Sequence, residues 1–144
     1  MTAQRLRARI DALRERYAGR APLRVFYQIW ERPLMTVNGR HFISDSIRLC
    51  GGENVFAAIE PIAPTVSIEA VIAADPQVII VSASAGDNEA ALAAWRRWGP
   101  VAAVRTDSLF TIPPDLIARP TARIVEGVER LCAALESARA TSGQ

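Results

Sequence analysis

Residues 64–82 read PTVSIEAVIAADPQVIIVS, and the fold turns on this stretch. Ser67 stands where an N-cap belongs, and Glu69 falls in the first turn, where the helix dipole favours an anion. The spacing predicts a helix over Ile68–Ala74, broken by Asp75-Pro76. Val78–Ser82 (VIIVS) is a continuous apolar run between turn residues, the pattern of a strand buried on both faces.

The same alternation extends outward. Before residue 64, Thr2–Tyr17 reads as a helix: Leu6, Ile10, Leu13 and Tyr17 form one apolar stripe and the other faces are charged. Gly19 and Pro22 stop it. Leu23–Trp30 (LRVFYQIW) is rich in β-branched and aromatic residues and reads as a strand, ended by Pro33. Asn38-Gly39 marks a turn, Ser44–Cys50 a short helix ended by Gly51-Gly52, and Val55-Phe56 a short strand or extended segment. After residue 82, a helix is expected over Asn88–Trp98, strands over Val101–Val104 and Leu109–Ile112, and a last helix from Pro120 carrying Ile124, Val128, Leu131 and Leu135. Strands alternating with helices imply an α/β domain. The expected architecture is a three-layer, Rossmann-like sandwich with a mainly parallel sheet.

The 144 residues suit one domain with a sizeable core. Half are hydrophobic and the net charge is +2, which excludes a disordered chain. No apolar run approaches the ~18 residues of a membrane span. The chain opens polar and arginine-rich, so no secretion signal is expected within it. Every basic residue is arginine. Residues 1–24 hold seven of them against Asp11 and Glu15, whereas residues 25–144 hold ten against thirteen acids. Aromatic residues do not interleave the basic stretch beyond Tyr17, so it reads as a solvated helix face rather than a nucleic-acid surface.

Enzymatic signatures are missing. The sequence has no G-x-G-x-x-G, no Walker loop and no G-x-S-x-G elbow, and its one histidine, His41, lies in a turn-rich segment beside Phe42. The pattern is that of a binder, with no catalytic residues, no metal site and no cofactor expected. Cys50 and Cys132 are far apart and outside any metal motif; they are either two free core thiols, which composition favours, or one long-range disulfide.

Two segments, VFYQIWERPLMTVNGRHFISDSIRLCGGENVFA and PTVSIEAVIAADPQVIIVS, resemble the periplasmic substrate-binding proteins of ABC importers. The resemblance is to the helical-backbone class that carries cobalamin, iron siderophores, haem and metal ions, and most of all to its cobalamin-binding members. CGGENVF and the PTVS-x-E-x-V stretch ahead of D-P-x-V-I-I carry the class. VF-x-Q with the Pro33 loop, the cysteine pair, and Asp115 with Arg119 carry the cobalamin branch.

The resemblance implies a function: capture of cobalamin or a similar corrinoid in the periplasm, and delivery to the membrane permease of an ABC importer. A siderophore, haem or metal-ion cargo is the alternative within the class; a small standalone Rossmann-like enzyme or nucleotide-binding domain is the alternative outside it. It implies an organisation too. Residues 1–20 would be the end of a helix joining two lobes, 21–138 the C-terminal lobe, and 139–144 a disordered tail, with an N-terminal lobe as the missing partner. Met35 would supply an apolar contact to the ligand, flanked by Trp30 and Leu34. Ala63 stands where the cobalamin-binding members have a tryptophan after a proline. Asp115 and Arg119, at i and i+4, would flank the ligand. Glu69 would be exposed and meet arginines of the transporter. Cys50 and Cys132 would form a disulfide, reversing the preference from composition. The isolated chain would bind ligand weakly and self-associate through the Trp30, Leu34 and Met35 face.

Overall fold

Three helices of this chain begin where a side-chain acceptor meets an unpaired backbone N–H. Thr2 Oγ1 accepts from Arg5 N at 3.2 Å, His41 Nδ1 from Ile43 N at 3.1 Å, and Ser67 Oγ from Ala70 N at 3.0 Å. In the computed structural model, which describes residues 2–117 and 123–141, the first half of the chain runs α1 (Ala3–Tyr17), β1 (Leu23–Gln28), α2 (Phe42–Leu49), β2 (Gly52–Asn54) and α3 (Ile68–Ala74). The second half runs β3 (Val78–Ser82), α4 (Asn88–Arg96), α5 (Ala102–Arg105), β4 (Leu109–Ile112), α6 (Pro114–Ile117) and α7 (Ile124–Thr141).

The four strands form one parallel sheet in the order β2-β1-β3-β4. Alternate side chains feed two cores. Val25, Tyr27, Val78, Ile80 and Ile112 pack with Tyr17 of α1, Ile43 and Ile47 of α2, and Leu131 and Leu135 of α7. Phe26, Ile79, Val81 and Leu109 pack with Val71 of α3 and with Leu92 and Trp95 of α4. Helices therefore cover both faces, and the expected three-layer α/β sandwich is the observed one. Of α1, Tyr17 is buried and Ile10 and Leu13 lean on the core, while its arginines face solvent.

Where α2 turns into β2 the backbone passes against α7 with no room for side chains. Gly51 has φ +86, and a Cβ on Gly52 would stand 2.8 Å from Leu135 Cδ2 and 2.9 Å from Ile47 Cγ2. That contact is the physical content of the CGG sequence. Cys50 and Cys132 are disulfide-bonded with Cα atoms 4.8 Å apart, joining this corner to α7.

Several expectations are corrected. Val101–Val104 was expected as a strand; it is largely the helical turn α5. The Asp75 carboxylate caps that turn, accepting from Ala102 N at 2.8 Å, and Ala103 N donates to Pro76 O at 3.0 Å. These bonds, with Val101 and Ala103 buried, bind the segment as a helical connection instead of a sheet rung. The short strand lies at Gly52–Asn54, because Asn54 Oδ1 accepts from Phe56 N at 2.8 Å and turns the chain there. β1 ends at Gln28, two residues before Trp30. α4 ends at Arg96, short of Trp98. The last helix continues to Thr141, so residues 139–141 are not a disordered tail. Arg139 is 4% exposed there and donates to Ala21 O, Cys50 O and Gly51 O, which holds the helix end in place. The expected start of that helix at Pro120 lies outside the described residues.

Candidate functional site

The strand order places a topological switch point between β1 and β3, since the chain leaves β1 toward β2 on one side and returns to β3 on the other. In open α/β sheets the crevice at the carboxyl ends of the strands around such a point is where ligands lodge. A cleft of about 500 Å³ lies there, lined by Gln28 at the end of β1, Ile29, Trp30, Glu31 and Arg32 following it, Val81 and Ser82 of β3, and Pro114 of α6.

One rim of the cleft is built by a tight excursion of the chain. Ile29 N donates to Met35 O at 2.9 Å and Met35 N to Trp30 O at 3.0 Å, closing residues 29–35 into a loop. Residues 34–38 then pair with 62–66: Thr36 N donates to Pro64 O, Val66 N to Leu34 O and Asn38 N to Ile62 O. Buried polar groups hold this rim down. Thr36 Oγ1 donates to Tyr27 O at 2.6 Å, and Asn38 Nδ2 donates to Ile59 O at 2.8 Å. Asn54 Nδ2 donates to Val37 O at 2.7 Å and to Ser44 Oγ at 2.8 Å. Each bond satisfies a group that burial would otherwise penalise. On top of this support Trp30 is 61% exposed and Ile62 51% exposed. The Trp30 indole is held by donating to Arg32 O at 3.0 Å.

The structure brings together some of the expected site residues and separates others. Trp30 lines the cleft, and Met35, half-buried, pairs across the loop with Trp30 and with Thr65 on its other side. Ala63 is exposed on the neighbouring segment, between Ile62 and Pro64. Asp115 is exposed on α6 next to Pro114, where its carboxylate accepts from Arg123 at 2.6 Å. Arg119 lies outside the described residues. Glu69 is exposed in the first turn of α3. His41 caps α2 and stacks on Phe42, with ring centroids 4.7 Å apart. Burial holds its pKa below the usual histidine value, partly opposed by the negative charge of Asp45.

Ser82, Glu31 and Arg32 line the cleft without having been singled out from sequence, and Gln28, the glutamine of VF-x-Q, was quoted there as a family marker but given no place in the site. Glu31 and Arg32 pair with each other at 3.3 Å, so the rim carries no large net charge. The available signal for Gln28 was a polar residue ending an apolar strand. It is buried, and its Oε1 accepts from Trp95 Nε1 at 2.7 Å. An open, largely apolar cleft with a few fixed polar groups can hold a large neutral molecule. Among the described residues no group of three His, Cys, Asp or Glu side chains is placed to hold a metal ion.

Comparison with known proteins places this geometry in a family. The periplasmic binding protein family profile matches residues 2–116. The chain is 39% identical over 138 residues to the vitamin B12-binding protein of Vibrio cholerae, covering 95% of this chain and 49% of that protein. The crystal structure of the periplasmic vitamin B12-binding protein of Vibrio cholerae superposes with a TM-score of 0.84 at 39% identity, covering 95% of this chain and 53% of that one. A periplasmic heme-binding protein from Roseiflexus superposes with a TM-score of 0.82 at 20% identity, covering 94% and 54%, and shares the fold alone. The chain spans about half the length of the curated relatives it matches. With a four-stranded parallel sheet, an open cleft at its switch point and a profile match over most of its length, the chain belongs to the periplasmic binding protein family.

Proposed function

We propose that this chain forms the C-terminal lobe of a periplasmic binding protein that captures cobalamin, or a closely related corrinoid, for an ABC importer. The 39% identity to vitamin B12-binding protein over 95% of the chain carries the reading. The cleft supports it. A corrin is a broad, nearly flat ring rimmed by neutral amides, and the cleft offers an exposed tryptophan, a methionine behind it and a nearly neutral rim. Trp30 and Met35 form the apolar contact, and Ile62 takes up the role left by Ala63 beside it. Asp115, with Arg119, flanks the ligand, and Arg123 holds the Asp115 carboxylate in place. The molecule is cargo, held and released without chemical change, so no catalytic group and no resident cofactor is required. α1 is the end of a helix joined to a second lobe that closes over the cleft, and Glu69 docks onto the membrane permease.

Titration of the chain with cyanocobalamin, haemin and a ferric hydroxamate, read by quenching of tryptophan fluorescence, tests the reading. One lobe leaves half the ligand in water and forgoes the preorganised second wall, so the isolated chain should bind cyanocobalamin weakly, with Kd near millimolar (about −4 kcal/mol). Haemin and the siderophore should bind more weakly still. Tighter binding of either, or no response to cyanocobalamin, would sink the proposal.

A further inference from the structure

We propose that Gln28 is a specificity-determining residue of the cleft: its carboxamide, oriented by Trp95, presents N–H donors to an oxygen acceptor on the bound molecule, an amide carbonyl above all. The inference rests on the reading of this cleft as the ligand site. Gln28 is the last residue of β1, at the switch point, and is 4% exposed. It lines the cleft, and its Oε1 accepts from Trp95 Nε1 at 2.7 Å.

That bond decides which way the amide faces. An indole N–H donates and cannot accept, so the oxygen of the carboxamide must meet Trp95 and the nitrogen must point elsewhere. Phe26 packs edge-on against the Trp95 ring, centroids 5.6 Å apart, so the indole is itself fixed. Among the described residues no acceptor meets the Gln28 nitrogen. Nor is it sealed off: the sealed side-chain polar atoms without partners, among the described residues, are Tyr27 Oη and Asn88 Oδ1. The nitrogen therefore keeps a face to solvent, and the solvent it meets is in the cleft.

A buried donor with its orientation set in advance is selective. A ligand oxygen placed over it gains a hydrogen bond. A ligand presenting only donors or apolar atoms there strands the amide without a partner, which costs more than the bond itself contributes. A neutral carboxamide suits a neutral amide oxygen, since no charge has to be desolvated on either side.

The test is a two-dimensional proton–nitrogen NMR titration of this chain with cyanocobalamin up to about its weak Kd. The side-chain amide pair of Gln28 is identified by its disappearance in Gln28→Glu. That variant keeps an oxygen for Trp95 and turns an acceptor, not a donor, to the cleft. The Gln28 pair should move with the same saturation curve as the Trp30 indole N–H. Gln28→Glu should weaken binding read at Trp30 by about tenfold or more. Trp95→Phe should also weaken it, but should add little on top of Gln28→Glu, because Trp95 acts through Gln28. If the Trp30 signal titrates while the Gln28 pair stays still, or if Gln28→Glu binds like the wild type, the proposal falls and the cleft reading stands. If neither signal moves, both fall. Should Gln28→Glu fail to fold, the Gln28 pair is assigned through its backbone and the wild-type titration decides alone.

Discussion

The guanidinium of Arg139 donates from Nη2 to the carbonyl of Cys50 at 2.9 Å, two helical turns beyond Cys132, the residue to which Cys50 is disulfide-bonded. The same nitrogen reaches Gly51 O at 3.0 Å, Nε reaches Ala21 O at 3.2 Å, and Glu136 balances the charge at 3.2 Å from Nη1. One corner of the molecule is thus tied to α7 twice, once covalently and once by a buried ion with its donors shared out. The carbonyls at this corner belong to the α2 terminus and to the approach to β1, where an unmet acceptor would be costly.

Arg139→Met is expected to destabilise the chain by about 1–3 kcal/mol, since it leaves the buried Cys50 carbonyl without its donor while keeping most of the side-chain volume. Arg139→Lys should recover less than half of the loss, because a single ammonium cannot serve three carbonyls at the angles of the guanidinium fork. Denaturant unfolding with constant m-value would read both effects.

Replacing both cysteines by alanine should cost about 4 kcal/mol. The bond closes a separation of 82 residues, and in the chain-entropy model a loop of that size restricts the unfolded state by roughly that amount. Urea midpoints of the oxidised wild type and the double alanine variant give the difference. A change under 1 kcal/mol would show that the noncovalent packing around Arg139 holds the corner unaided.

His41 should make stability depend on pH in the mildly acidic range. Its Nδ1 accepts from Ile43 N, which requires the neutral ring, and burial lowers its pKa from the ordinary 6.5. A proton then binds the unfolded chain more readily than the folded one. The stability contributed is fully present above pH 6.5 and is lost as pH falls from there through the lowered folded value. His41→Asn keeps an N-cap acceptor without the titration. The fall in Tm between neutral and mildly acidic pH should be smaller in that variant than in the wild type, and an equal fall would remove His41 as its source.

Glu69→Arg should leave folding and cobalamin binding unchanged, because the side chain is exposed and does not line the cleft. Loss of the first-turn anion costs only about 0.5–1 kcal/mol of helix stability. If Glu69 docks onto a permease as proposed, the same substitution in the complete transport system should abolish uptake while the binding protein still loads. Undiminished uptake would sink the docking role.

Most elements were legible from sequence because they are set over short distances. The stripe of Ile10, Leu13 and Tyr17, the Ser67 cap and the VIIVS run each declare a helix face, a helix start or a doubly buried strand within one or two turns of chain. Their alternation determined the three layers, since parallel strands joined by helices have few ways to pack. The errors fell where a local pattern is ambiguous. Val101–Val104 reads equally as a buried strand or a buried helical turn, and Asp75, capping Ala102 from 27 positions away, settles it. The candidate site shows the same division. An exposed Trp30 and a half-buried Met35 can be nominated from sequence. Their meeting with the 62–66 segment depends on backbone bonds between loops with no periodic signal. Gln28 and Trp95 are 67 positions apart, and Arg139 and Cys50 are 89 apart. Such pairs form only once the sheet has closed and set its neighbours side by side. Sequence thus determined the elements and their order through local sterics and burial. Tertiary structure alone decided which polar groups distant in sequence meet, because a buried donor takes whichever acceptor the finished packing places within reach.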